Sequence, residues 1–242
     1  MCTLTIYSAP KHCIVTMNRD ERRTRQESGI LHSPDSATKT VYPVDQEAGG
    51  TWFGVNEYGV ILCLLNQYHS DNVPNPKSRG IIIPQALRLG KFSKVRHCLE
   101  TMDCRFFNPF DLFLIRKKRI IRFSWNGEDM TIEQVKAKPW FLFSSSSFYT
   151  EEVLAYRQSL FWAWAEEMGG MEPDPQEILR GFHMIQLPGM ETHSILMERE
   201  VSHTKSIIQA ETVKQNMSVN YYPNVLENSV ETLVTEKLEV LD

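Results

Sequence analysis

A cysteine at position 2, directly after the initiator methionine, puts reactive groups at the start of the chain. A small second side chain is what methionine aminopeptidase tolerates, and removal of Met1 would make Cys2 the first residue. A terminal cysteine carries a thiol and a free α-amine, with reference pKa values of about 8.5 and about 7.7–8.0, on one residue. The amine can take the thiol proton, directly or through a water, and later hand it to a leaving amine. The plainer reading of Cys2 alone is an inert thiol at the start of a strand. A second feature is Asn18-Arg19-Asp20-Glu21. If Ala9-Pro10-Lys11 turns the chain between strands Cys2 to Ser8 and Cys13 to Asn18, these four residues lie beside the first residues of the chain. A guanidinium there favours thiolate, and a carboxylate holds or orients the amine. Alternation along the strand turns either Asn18 and Asp20 or Arg19 and Glu21 toward Cys2. A solvated strand end with loose ion pairs is the alternative. The third feature is Asn66, at the end of the apolar run Val60 to Leu65. An amide at such a rim either donates to a developing oxyanion or forms a turn.

These residues need a frame. The opening hairpin is followed by a charged and polar stretch, Asp20 to Gln46, which reads as a long surface segment. Gly49 to Val55 and Val60 to Leu65 read as a second hairpin around Asn56-Glu57-Tyr58-Gly59, and Gln67 to Ser78 as another loop. Helical spacing covers Ile81 to Leu89 and Ser93 to Thr101, broken at Gly90. Strand character returns at Phe110 to Ile115, Arg119 to Trp125 and Trp140 to Ser144, with Asn126-Gly127 as a turn. Glu151 to Met168 and Pro173 to His183 read as helices. His193 to Met197 and His203 to Gln209 read as a hairpin, and Val213 to Tyr221 as a further strand. This order fits an α+β layered domain of antiparallel sheets better than a repeating βαβ fold. The boundaries predicted are one domain over 1–223 and an acidic tail over 224–242.

Composition narrows the function. With 242 residues, 42% apolar and 23% charged, the chain is long enough to bury a core without staples. A net charge of -4 gives no footprint for nucleic acid, and the basic run Arg116-Lys117-Lys118-Arg119 reads as a turn between strands. The longest apolar run falls far below the roughly 18 residues a membrane span needs. Without a basic leader or a long apolar start, a cytoplasmic location is expected. Five cysteines form no CxxC pair and are expected as free thiols; His97-Cys98 with Cys104 comes nearest to a zinc-like cluster.

The opening Met-Cys, Asn18-Arg19-Asp20-Glu21, Gly49-Gly50-Thr51-Trp52-Phe53-Gly54, Asn66 and Ser78-Arg79-Gly80 together resemble the N-terminal nucleophile hydrolases. More narrowly they resemble the NRDE family, also called the transport and Golgi organisation family. Ser144 to Ser147 with Thr150 to Val153, and His193 to Met197, look like later blocks of a bacterial branch. Asn56-Glu57-Tyr58-Gly59-Val60 leading to Leu65-Asn66 is similar to the choloylglycine and penicillin V acylase relatives. The resemblance implies an αββα sandwich with Cys2 as nucleophile, Arg19 and Asp20 assisting it, Asn66 polarising the carbonyl, and Asn18, Glu21, Trp52 and Arg79 in the substrate-binding set. It implies hydrolysis of a linear amide in a small molecule with no cofactor required. The sequence departs from the acylases in three ways. Arg19 is adjacent to Asp20 rather than three residues before it, Ser144 to Ser147 occupies the stretch of their second Asn, and their late Arg has no counterpart near Thr192-His193-Ser194. The alternative is a binding or trafficking protein for haem or acyl lipids on the same scaffold. His183, His193 and His203 are the histidines it would draw on, and none is assigned as a ligand.

Overall fold

The computed structural model describes residues 2–32, 37–68, 73–136, 138–169, 172–228 and 234–241. Two antiparallel sheets carry the chain. The first has the order β10 (Trp140–Ser145), β1 (Cys2–Ser8), β2 (His12–Arg22), β11 (Ser202–Val213), β12 (Asn216–Pro223), β13 (Val234–Glu239). The second runs in sequence order, β3 (Glu27–His32), β4 (Thr40–Asp45), β5 (Phe53–Asn56), β6 (Ile61–Asn66), β7 (Phe110–Arg116), β8 (Arg119–Trp125), β9 (Met130–Val135).

Period-two alternation assigns each face. Leu4, Ile6, Val15 and Met17 of the first sheet meet Phe53, Val55, Cys63 and Phe113 of the second in a shared core. The alternate residues of β6, Leu62 and Leu64, with Val60 ahead of them, pack outward on α1 (Ile82–Leu87) and α2 (Phe92–Glu100) through Ile83, Leu87, Val95 and Leu99. Tyr7, Ile14 and Trp140 pack outward on α3 (Thr150–Glu167) and on a helix that starts as α4 (Pro175–Ile178) and widens to a π turn over Leu179–His183. The result is a four-layer αββα sandwich. Strands buried on both faces explain why Val60 to Leu65 reads as an unbroken apolar run.

Several elements depart from the sequence reading. Asp20 to Gln46 is not one surface segment: β2 continues to Arg22, and β3 and β4 follow. The charged end of β2, the mixed composition of β3 and Pro43 within β4 leave no clean hydrophobic alternation to mark them. His193 to Met197 is a run of turns rather than a strand, with carbonyls that accept from a side chain described below. β11 pairs instead with β2 and β12. The edge strand β9 goes unseen because only its ends are partly buried. Within the stretch read as an acidic tail, Val225–Asn228 forms the short helix α5 and β13 pairs with β12. The basic run does form the β7–β8 turn, with Lys117 at φ 53°.

Two glycines bring separate motifs together. A Cβ on Gly50 would stand 2.5 Å from the Gly80 carbonyl carbon, and a Cβ on Gly80 would stand 2.9 Å from the Thr51 nitrogen. The Thr51 N–H donates to the Gly80 carbonyl across this contact at 3.0 Å. Gly50-Thr51-Trp52 and Ser78-Arg79-Gly80 thereby become one wall. The Gly50→Ala substitution is expected to cost about 1–3 kcal/mol of unfolding free energy, the scale of a clash that must push backbone. Urea denaturation of the variant beside the parent checks it.

Candidate active site

A cavity of about 510 Å³ opens at the end of β1, between the sheets. Cys2, Arg19, Asp20, Glu21, Trp52, Asn66 and Arg79 all line it, although they come from five separate stretches of the sequence. Of the residues expected at a site, Asn18 alone does not line it.

The β1–β2 register explains the arrangement. Cys2 pairs with Arg19 on one side and with Ser145 of β10 on the other. Cross-strand partners share a face, so Arg19 and then Glu21 stand on the Cys2 side, while Asn18 and Asp20 turn toward the outer helices. Arg19 therefore stands beside Cys2, and the charge of Asp20 reaches the thiol from the next position along β2. The β11 register shifts between Thr204 and Ser206, opposite Asp20 and Arg19, which leaves the alternation of β2 intact.

Arg19 is buried and its charge is answered from the second sheet. Its guanidinium donates to Glu27 Oε1 at 2.5 Å and to Asp45 Oδ2, lies 3.6 Å from Glu21, and stacks 4.3 Å from the centroid of the Trp52 ring. Arg25 extends the network to Asp45 at 2.7 Å and to Glu21 at 3.6 Å. Asp20 is buried on the other face. Thr204 Oγ1 donates to it at 2.7 Å, and Arg157 of α3 lies 3.5 Å away.

Sequence reasoning misses Arg157. It is fully buried and donates to Thr3 Oγ1 at 2.7 Å, Ser144 Oγ at 3.0 Å and the carbonyls of His193 and Ser194 at 3.1 and 2.9 Å. Burial lowers its pKa, and the charge of Asp20 acts the other way. The available signal is its place on α3, four residues from Val153 and from Phe161 on the buried stripe, where a cation needs a buried partner.

The Cys2 thiol is pushed up to about 11 by burial. The amino-terminal charge and Arg19 pull it down, and Asp20 and Glu21 push it up. At neutral pH it is a thiol, so attack requires a base within the site. Asn66 ends β6 half-exposed at the cavity, and its Nδ2 has one long contact of 3.4 Å with Tyr68 Oη, which leaves donor capacity for a substrate oxygen. Arg79 donates to the Pro109 carbonyl at 2.6 Å.

Asn18 has a structural role. Its Nδ2 donates to the carbonyls of His183 and Ile195 at 3.0 and 3.1 Å, so its Oδ1 accepts from His183 Nδ1. His183 Nε2 then accepts from Thr5 Oγ1 at 2.6 Å, which fixes the neutral ring. Burial lowers the His183 pKa to about 3. Among the described residues no group of three or more His, Cys, Asp or Glu is placed to hold a metal ion. No helix among them is long and apolar enough to cross a membrane.

A four-layer αββα sandwich of two antiparallel sheets is the fold of the N-terminal nucleophile hydrolases. The chain is similar in fold to the Caenorhabditis elegans N-acylethanolamine-hydrolyzing acid amidase ortholog, with a TM-score of 0.61, 10% identity, and coverage of 97% of this chain and 100% of that one. It is also similar to a single-substitution variant of the conjugated bile acid hydrolase of Clostridium perfringens (TM-score 0.57, 9% identity, 100% and 97% covered). A third is penicillin V acylase of Agrobacterium tumefaciens (TM-score 0.52, 12% identity, 99% and 86% covered). The chain belongs to the Transport and Golgi organisation 2 family, whose model matches residues 1–227. No curated protein sequence matches it.

The neutral His183 gives a pH prediction. Above about pH 6.5 the ring is uncharged in both folded and unfolded chains. As pH falls toward 3 the unfolded chain takes a proton that the folded one refuses, so stability is lost at up to about 1.4 kcal/mol per pH unit. Urea midpoints at pH 7 and pH 5 should diverge in the parent, and a His183→Gln variant should show a shallower pH dependence.

Proposed function

We propose that the protein is a cysteine-type amidohydrolase that cleaves a linear, non-peptide C–N bond in a small molecule. The observation that carries this reading is the convergence of Cys2, Arg19, Asp20 and Asn66 on one cavity. Removal of Met1, which lies outside the described residues, frees the α-amine of Cys2. The amine accepts the Sγ proton as sulfur bonds to the amide carbon, and the carbonyl oxygen becomes an oxyanion facing Asn66 Nδ2. The α-ammonium returns the proton to the departing nitrogen, the C–N bond breaks and a thioester remains. Water, deprotonated by the same amine, attacks the thioester; the acid leaves and sulfur recovers its proton. Asp20, whose charge reaches Cys2, favours the ammonium; Arg19, paired with Cys2 across the strands, favours thiolate.

The lining supports a small polar substrate over haem or an acyl lipid, the other ligands expected on this scaffold. Eight of its residues are charged: Arg19, Asp20, Glu21, Arg25, Asp45, Glu47, Lys77 and Arg79. A porphyrin face or an acyl chain would strip water from the five that keep exposed surface, Glu21, Arg25, Glu47, Lys77 and Arg79, and offer nothing in return. Neither localisation nor transport follows from this chemistry.

Intact-mass measurement should find Met1 absent, and Cys2→Ala should abolish hydrolysis across a panel of linear amides. Asp20→Asn should lower the rate of the cleaved amide by about 10²-fold or more, the scale of lost acid–base assistance. Full activity in a chain that keeps Met1 would exclude the amine as base.

A further inference from the structure

The two walls of the cavity differ in charge. On one side, Arg19 and Arg25 are matched by Glu21, Asp45 and Glu47, with Glu27 behind them. The other wall is the segment Pro76 to Gly80, which contributes Lys77 and Arg79. Among the described residues neither cation has a carboxylate within ion-pair distance. Lys77 Nζ sits 4.8 Å above the Phe106 ring, and the Arg79 guanidinium meets one carbonyl, that of Pro109.

Arg79 is also held in place. The Nη1 bond to Pro109 orients the fork, and the Gly50–Gly80 contact anchors the backbone behind it. Among the described residues its Nε and Nη2 have no hydrogen-bond partner. Burial lowers the Arg79 pKa, as expected for a half-buried cation without a counter-ion, while Tyr68, Cys2 and Glu21 act to raise it. Cys2 and Arg79 line the same cavity. A fixed fork with free donors facing a cavity is how a planar anion is recognised.

We infer that Arg79, assisted by Lys77, forms an anion subsite and that the amide cleaved at Cys2 carries a carboxylate. The cleavage half of this inference rests on the amidohydrolase reading; the subsite does not.

The test separates the two. A Cys2→Ser variant, which keeps the cavity but not the thiol, is titrated by calorimetry with N-hexanoylglycine and with its neutral partner N-hexanoylglycinamide. The acid should bind at least about tenfold more tightly, the scale of one charge-assisted hydrogen bond, and added salt should shrink the ratio. Adding Arg79→Gln should bring the ratio near one, with Arg79→Lys restoring part of it. Equal binding of the two compounds, or no binding of either up to roughly 10 mM, where the affinity is only a few kcal/mol, overturns the subsite. If Arg79→Gln fails to fold, Lys77→Gln decides: an unchanged ratio that is also insensitive to salt overturns the proposal. Hydrolysis is scored separately in the unsubstituted protein. Selective binding of the acid without its cleavage, or that of any related acidic amide, would sink the amidohydrolase reading and leave the subsite standing.

Discussion

Two adjacent residues of β2 carry opposite charges into opposite sides of one sheet, and each must be answered there. Arg19 points between the sheets and draws Glu27 and Asp45 from the second sheet. Asp20 points outward and draws Arg157 from α3 and Thr204 from β11. Removing one partner of a buried pair leaves an uncompensated charge, at a cost of about 3–5 kcal/mol. The need to compensate these two side chains therefore connects β3, β4, α3 and β11 to the strand beside Cys2. It also sets Glu27 at the start of β3 and Asp45 at the end of β4 against Arg19.

The same constraint sets what the sequence discloses. Cys2, Arg19, Asp20, Glu21, Trp52, Asn66 and Arg79 are legible as a set because they belong to short motifs, and their meeting follows from one hairpin plus one close contact between glycines. The buried strands are legible because apolar runs leave few other readings. β3 and β4 are not, since their mixed composition shows no clean alternation and the partners of Glu27 and Asp45, Arg19 and Arg25, are known only from the fold. Arg157 is hidden for a related reason: a cation on a helix reads as solvated unless its neighbours at four-residue spacing are known to be buried. Asn18 misleads in the opposite direction. It belongs to the signature, yet alternation sends its amide away from Cys2 to fix the ring of His183.

Arg157 bears on the departures from the acylase pattern. The late Arg of those enzymes has no counterpart near Thr192-His193-Ser194, and the structure puts a guanidinium against that segment from a different element. Arg157 holds the carbonyls of His193 and Ser194 while facing Asp20, and Arg199, just beyond the same segment, donates to the Thr192 carbonyl, so the helix and the turn each bring a guanidinium there.

A buried thiol with a pKa of about 11 has a consequence for reactivity. Burial alone would make Cys2 as inert as Cys13, whose thiol is pushed up to about 12 by the same cause. The difference between them is not depth but company. Cys13 has burial as its one resolved influence, whereas Cys2 has a nearby amino-terminal charge, Arg19, Asp20 and Glu21 acting on it in opposite directions. Charges of both signs around one sulfur leave the resting thiol neutral while keeping the means to stabilise either the thiolate or the ammonium that forms with it. A site that stabilised the thiolate outright would give a weaker nucleophile, since nucleophilicity falls with pKa. On the amidohydrolase proposal, holding the proton until a base takes it preserves that reactivity for a substrate already seated in the cavity.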